Sequence, residues 1–169
     1  MNFRTGFGFD VHKLENNLDF WLGGILIPHH KGALGHSDAD VLIHSICDAL
    51  LGAANMRDIG FHFSDTSPEF KGIDSKILLK RTVDLIATKN YVIGNIDATI
   101  CLQLPKISPY INDMKETLAK VIGTDIDNIS IKATTTERLG FEGREEGVSA
   151  YAVVPVSYTH LTLPTKRIV

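Results

Sequence analysis

Asp10 and His12 stand two residues apart, and a further histidine, His44, lies in an apolar-periodic stretch downstream. On a strand, residues two apart project from the same face, so Asp10 and His12 point the same way. A carboxylate and two imidazoles supply three of the four ligands of Zn²⁺ and leave one position for substrate or water. The same donors suit other divalent metals. The residues also read as a surface Asp-His pair and a helix histidine held by hydrogen bonds, since spacing alone does not bring a strand and a helix together.

Three further clusters carry chemistry. In His36-Ser37-Asp38-Ala39-Asp40, followed by His44 and Asp48, the residues Asp40, His44 and Asp48 share one helix face. A carboxylate beside a ligating histidine fixes its tautomer, whereas Ser37 and Asp38 also suit a helix cap. Lys132-Ala133-Thr134-Thr135-Thr136-Glu137, with Gly140-Phe141-Glu142-Gly143-Arg144 after it, offers hydroxyls, a carboxylate and an arginine for phosphate or Mg²⁺. It also reads as a Thr-rich strand end, and it lacks the Gly-Lys-Ser/Thr of a nucleotide-hydrolase loop. Asp58-Ile59-Gly60 and Phe63-Ser64-Asp65-Thr66-Ser67 lie in a long polar stretch, residues 55–74, of the kind that binds small molecules.

The elements that must position these groups follow from periodicity and punctuation. Arg4–His12 reads as a strand, Phe20–Ile27 as a hairpin stopped by Pro28, and His29–Ala39 as a polar connection. Val41–Ala54 carries the clearest helical spacing, and Lys76–Lys89 and Pro109–Ile122 are further helices, the last closed by Gly123. Tyr91–Leu104, Ile129–Thr134 and Val148–Val154 read as strands. The order predicts an α+β fold, a layer of helices on a mixed sheet. Residues 1–154 form a single domain. Residues 155–169, with two prolines, no acid and no periodic face, read as a non-native or disordered tail.

The chain's 169 residues carry 17 bases and 20 acids, a net charge of −3. That excludes a broadly basic nucleic-acid binder and a polybasic membrane surface. Lys166 and Arg167 fall in the tail, so residues 1–154 hold 15 bases against the same 20 acids. Cys47 and Cys101 lack CxxC spacing, no apolar run is long enough to span a bilayer, and no leader peptide is evident. A soluble protein of the reducing cytoplasm is expected.

Several stretches together resemble the 2-C-methyl-D-erythritol 2,4-cyclodiphosphate synthase family of the non-mevalonate isoprenoid pathway. They are GFGFDVHKL (6–14), GGILIPHHKGALGHSDADVLIHSICDALLGAAN (23–55), DIGFHFSDTSPEFKGIDS (58–75), NIDATICLQLPKISPYI (95–111) and IKATTTERLGFEGREEGVSAYAVV (131–154). The resemblance implies a ferredoxin-like subunit and a homotrimer with active sites between neighbours. It implies a diphosphocytidyl substrate whose 2-phosphate attacks the β-phosphorus and releases CMP, so that no protein nucleophile is needed. Zn²⁺ would sit on Asp10, His12 and His44, and Mg²⁺ or Mn²⁺ at Glu137, with Thr135 and Thr136 completing the catalytic set. Substrate contacts would come from His36, Ser37, Asp58, Ile59, Gly60, Phe63, Ser64, Asp65, Thr66 and Ser67. The cytosine pocket would be Leu102, Gln103, Leu104, Pro105, Lys106, Ile107 and Ser108; Thr134, with Phe141 and Arg144 of the final loop, would also contact the substrate. The chain departs from the family in the run after Gly60, where Phe61-His62-Phe63-Ser64 replaces a Lys and a Phe-Pro, and after Val154. A binding module with structural zinc and a zinc-dependent phosphohydrolase are the rival readings.

Overall fold

A computed structural model describes residues 2–158. The chain forms a six-stranded mixed sheet with its longer helices packed on one face, plus a two-stranded hairpin. Strand β1 (Asn2–Asn16) is followed by the hairpin β2 (Trp21–Leu22) and β3 (Ile25–Leu26), then β4 (Lys31–Leu34). Helix α1 (Val41–Ala53), the short α2 (Ile59–His62) and α3 (Ser75–Ala87) come next. The second half holds β5 (Tyr91–Ile93), β6 (Ile96–Cys101), α4 (Ile111–Ile122), β7 (Ile129–Thr134), the short α5 (Gly140–Gly143) and β8 (Gly147–Tyr158). The sheet runs β4-β1-β8-β6-β7 with β5 also on β8, and only β6 and β7 pair in parallel.

Alternation along the strands explains the one-sided layering. Val148, Ala150, Ala152, Val154 and Val156 of β8 are buried, as are Ile96, Ala98 and Ile100 of β6 and Ile129 and Ile131 of β7. They meet the apolar side of α1, whose Leu42, Ile43, Ile46 and Leu50 are fully buried. On β1 the inward residues are Gly6, Gly8, Asp10, His12 and Leu14; the outward ones, Phe3, Phe7, Phe9 and Val11, are exposed. Cross-strand pairing sets Phe7 beside Val153 and Phe9 beside Tyr151, so the outer sheet face carries an apolar patch.

The helix layer lies unusually close to β1. A Cβ on Gly8 would stand 1.8 Å from the Ser45 carbonyl oxygen, and one on Gly6 1.7 Å from that of Ala49. Strand backbone therefore rests directly on helix backbone.

The first turn of α1 is fixed from outside the helix. Asp40, fully buried, caps it by accepting from Ile43 N at 3.0 Å, and also accepts from Gly23 N at 3.0 Å and Gly24 N at 2.6 Å. Burial pushes its carboxyl up from the usual range against the pull of these amides. Asp40 thus ties the β2–β3 turn to the helix; its hydrogen bonds go to these three amides and not, as the helix-face spacing suggests, to His44's ring. Asp40→Asn puts an NH₂ against one of these amides, an unsatisfied buried donor pair expected to cost about 2 kcal/mol in urea unfolding.

The sequence-based expectations need four adjustments. The polar connection 29–39 contains β4, an edge strand on residues 13–16 of β1. The loop 55–74 contains α2 and a 3₁₀ turn, Pro68–Phe70. The single strand expected over 91–104 is two strands. Ile93 faces Val156 and Asp97 faces Val153, so one extra residue is inserted at Gly94-Asn95 as a bulge. Lastly, β8 does not stop at Val154 but pairs with β1 and β5 to Tyr158. Pro155 has no N–H to donate, and it is tolerated because it sits opposite the bulge, where its carbonyl accepts from Gly94 N at 2.9 Å. The last strand therefore runs four residues past Val154. The rest of the expected tail lies outside the described residues.

Candidate metal centre and substrate cleft

β1 and α1 bring together the three residues nominated as ligands. His44 Nδ1 lies 2.9 Å from Asp10 Oδ2, His12 Nε2 lies 3.0 Å from the same oxygen, and the two ring nitrogens are 3.1 Å apart. A tetrahedral ion with bonds of about 2.0–2.1 Å has ligand–ligand edges of about 3.3 Å, so the triangle has nearly the required size. A carboxylate only accepts, so two ring nitrogens converging on it need protons or a shared cation between them. The donor set fits a divalent metal. It is also the only such cluster of His, Cys, Asp and Glu among the described residues.

Electrostatics agree with this geometry. Burial pushes the Asp10 carboxyl up, but hydrogen bonds and charge from His12 and His44 outweigh it and hold Asp10 well below the usual carboxylate range. Burial pushes His44 down, but Asp10, with Asp40 and Asp38 farther off, leaves it above the ordinary imidazole value. The corner is a concentration of negative potential poised for a cation. His12 is steadied on its other side by Nδ1 at 3.2 Å from the Leu34 carbonyl.

The corner opens into a cleft of about 430 Å³ lined by Asp10, His12, Gly35, His36, Ser37, His44, Ile59, Gly60, Phe63, Asp65, Phe70 and Leu78. The cleft thus collects His36, Ser37, Ile59, Gly60, Phe63 and Asp65 from the expected substrate contacts. His36 Nε2 donates to the Ser67 carbonyl at 3.0 Å, which ties the loop to the floor. Other expected contacts shape the wall without lining it. Asp58 caps α2 through Phe61 N, Ser64 and Thr66 join their hydroxyls at 2.8 Å, and Ser67 caps the 3₁₀ turn. Asp48, expected on the helix face, accepts from Ile59 N at 2.7 Å and so anchors the start of α2.

The residues expected to hold the diphosphocytidyl end are elsewhere on the chain. Leu102, Gln103, Pro105, Lys106, Ile107, Ser108, Ala133, Thr134 and Thr135 line a second cavity of about 220 Å³ that shares no residue with the first. Leu104 is 40% exposed at its rim, joined to Pro105 by a cis bond. Thr136 Oγ1 donates to the Leu139 carbonyl and shapes the turn beyond β7. Glu137 is exposed, at φ 53°, with a Thr135 hydroxyl 3.3 Å from its carboxylate. Lys132 pairs with Asp97 on the outer sheet face. Arg144 points its guanidinium at Glu146, at 3.0 and 2.9 Å, and with Phe141 lies outside both cavities.

Two features of the site went unread in the sequence. The first is the pair Gly6 and Gly8, which stand on the same strand face as Asp10 and His12; the alternation Gly-x-Gly-x-Asp-x-His was the available signal. The second is Ser75, fully buried with its hydroxyl 2.9 Å from His44 Nε2. No local pattern marks it.

An open three-donor metal corner beside a concave cleft, on a one-faced α+β sheet, defines a metal-dependent enzyme acting on a small molecule. The chain belongs to the YgbB family, whose model matches residues 3–157. It is 67% identical over 157 residues to the 2-C-methyl-D-erythritol 2,4-cyclodiphosphate synthase of Bacteroides fragilis, covering 93% of this chain and 99% of that protein. Among solved structures it resembles the bifunctional IspDF of Campylobacter jejuni, with a TM-score of 0.90 and 40% identity, covering 94% of this chain and 43% of that longer one. A 2C-methyl-D-erythritol-2,4-cyclodiphosphate synthase solved in its CDP-bound form matches with a TM-score of 0.84 and 33% identity over 91% of this chain and all of that one.

Proposed function

We propose that the chain converts 4-diphosphocytidyl-2-C-methyl-D-erythritol 2-phosphate to 2-C-methyl-D-erythritol 2,4-cyclodiphosphate and CMP. The observation that carries this reading is the convergence of Asp10 Oδ2, His12 Nε2 and His44 Nδ1 at the edge of the cleft. An oxygen of the 2-phosphate forms a bond to the β-phosphorus. The bond from that phosphorus to the bridging oxygen breaks, and CMP leaves with the electron pair. The nucleophile belongs to the substrate, so the chain's task is positioning and charge neutralisation.

Asp10, His12 and His44 would hold Zn²⁺, which supplies Lewis-acid polarisation of a phosphate oxygen. Glu137, exposed and lightly engaged, would hold Mg²⁺ or Mn²⁺ together with substrate phosphates, the usual manner for these ions. His36, Ser37 and the backbone of Ile59-Gly60 would grip the methylerythritol phosphate in the first cleft. The second cavity, from Leu102 to Ser108 with Thr134 and Thr135, would take the cytidine end. CDP in the solved relative supports a site of that chemistry.

The two cavities lie apart on one chain, yet the substrate needs both ends held at once. That separation, and the exposed apolar face of Phe7, Phe9, Val11 and Val153, support a homotrimer in which one subunit's metal cleft meets its neighbour's cytidine cavity. Free Cys47 and Cys101 suit a reducing cytoplasm, and no described helix is long and apolar enough to cross a membrane.

Product analysis tests the reaction. CMP and a cyclic diphosphate are expected in equal amounts, and a chelator should stop both. Inorganic phosphate in their place would favour the zinc-dependent hydrolase, and no turnover by metal-loaded protein would favour a binding module.

A further inference from the structure

The metal cleft is backed by a chain of hydrogen bonds behind His44. His44 has two ring nitrogens. Nδ1 faces Asp10 and His12, while Nε2 points the other way, 2.9 Å from Ser75 Oγ and 3.1 Å from Ser37 Oγ. Ser75 is fully buried, and its hydroxyl also meets Asp38 Oδ1 in a short contact. Asp38 Oδ2 in turn accepts the Ser75 backbone N–H at 2.9 Å.

Donor and acceptor rules give this chain a direction. An ionised Asp38 has no hydrogen to give, so the Ser75 hydroxyl must donate to it. Having spent its only hydrogen, Ser75 Oγ can offer His44 nothing but a lone pair. The proton of a neutral His44 is therefore drawn to Nε2, and the lone pair of Nδ1 is left facing the metal corner. Ser37 reinforces the arrangement less strictly: its oxygen accepts from Ala39 N at 3.2 Å and lines the cleft, so its own hydrogen remains available there.

We infer that Ser75, oriented by Asp38, is a positioning residue for the metal, holding His44 in the tautomer and ring orientation that present Nδ1 to it. The role is placed at a structural junction. Ser75 opens α3, and the Asp38 backbone N–H donates to the Ile73 carbonyl at 3.1 Å. The segment that walls the cleft thus ends on the carboxylate that orients the ligand. This inference rests on the metal assignment made above, and its test separates the two.

The test is Zn²⁺ affinity of the full chain, measured by competition with a chromogenic chelator. Loss of a hydrogen-bonding partner behind a metal-bound histidine typically weakens binding by about 10–100-fold, and Ser75→Ala is expected to fall in that range. Ser45→Ala removes an equally buried hydroxyl of α1, bonded at 2.9 Å to the Leu42 carbonyl and not to the ring, and should leave affinity at the wild-type value. Wild-type affinity in Ser75→Ala, or an equal loss in Ser45→Ala, overturns the inference and leaves the metal assignment standing. Wild-type protein that takes up no Zn²⁺ overturns both. A readout independent of any variant is the ¹⁵N spectrum of the zinc-loaded wild type. The His44 ring proton should reside on Nε2 and be protected from exchange with water; rapid exchange at Nε2 refutes the inference alone, and a ring proton on Nδ1 overturns the metal assignment together with it.

Discussion

His44→Ala is expected to empty the metal corner and end turnover in a chain that still folds. His44 supplies one of three donors on a triangle with edges of 2.9–3.1 Å, and the two that remain, Asp10 and His12, lie on the same strand. A Lewis-acidic metal contributes several kcal/mol to the transition state, which at about 1.4 kcal/mol per tenfold puts the loss at about a thousandfold or more. The fold should survive, because His44 lies at the cleft edge of α1 while Leu42, Ile43, Ile46 and Leu50 carry the packing. Metal analysis, CMP release and a melting curve in chelator check the three parts. The wild type should also gain stability from added Zn²⁺ by mass action, and the variant should not. Retained zinc with near-normal turnover would refute the assignment of His44.

The second large effect belongs to a residue with no side chain. Gly8→Ala drives a Cβ to 1.8 Å from the Ser45 carbonyl oxygen and 2.7 Å from Ala49 N. Both are backbone atoms of α1, so no rotamer relieves the contact and the helix must lift off the strand. Overpacking of this kind costs about 3 kcal/mol, the upper part of the usual range. For a chain of this size that is a fall of about 10 °C in Tm, at about 2–4 °C per kcal/mol. Lifting α1 also widens the triangle of Asp10, His12 and His44, so metal affinity should drop along with stability. Gly52→Ala is the matched control, since a Cβ there meets nothing within 4 Å. Being inside a helix, it should stabilise by about 0.5–1 kcal/mol. Equal melting points for the two variants would show that the close approach is not what sets the fold.

The contrast between these residues explains what the sequence made readable. Asp10 and His12 announce themselves by type and by the two-residue period of a strand. Helix α1 announces itself by the spacing of Val41, Ile46 and Leu50, and α4 by Gly123, which closes it at φ 79°. That these elements touch is a long-range fact. It is written only in the missing side chains of Gly6 and Gly8, which read locally as weak strand residues. β4 escaped for a related reason: Lys31-Gly32-Ala33-Leu34 has no β-branched residue, and pairing with β1 alone makes it a strand. Tyr91–Cys101 carries apolar residues on both sides of Gly94-Asn95, and the extra residue there is visible only against β8. Pro155 misled in the opposite sense, because a proline reads as a stop unless its partner strand is known to jog there. Asp40 shows the limit of helix-face arithmetic. Four-residue spacing aligned it with His44, but at a cap position its side chain turns back to the amides of Gly23 and Gly24.

The place of β8 in the sheet bears on how the chain reaches this state. Twelve consecutive residues, Gly147 to Tyr158, pair with Lys13 back to Asn2 at the other end of the described chain. The same strand pairs with β5 and β6, so it joins three strands that come before it in sequence. Such separation gives a high contact order, and loop closure must precede the contacts that reward it. Before β8 docks, β1 and β6 lack the neighbour they share, and each presents an open edge. A nascent or refolding chain therefore passes through a stage in which the outward Phe7 and Phe9 and an unpaired strand are exposed together, the combination most prone to wrong pairing between chains.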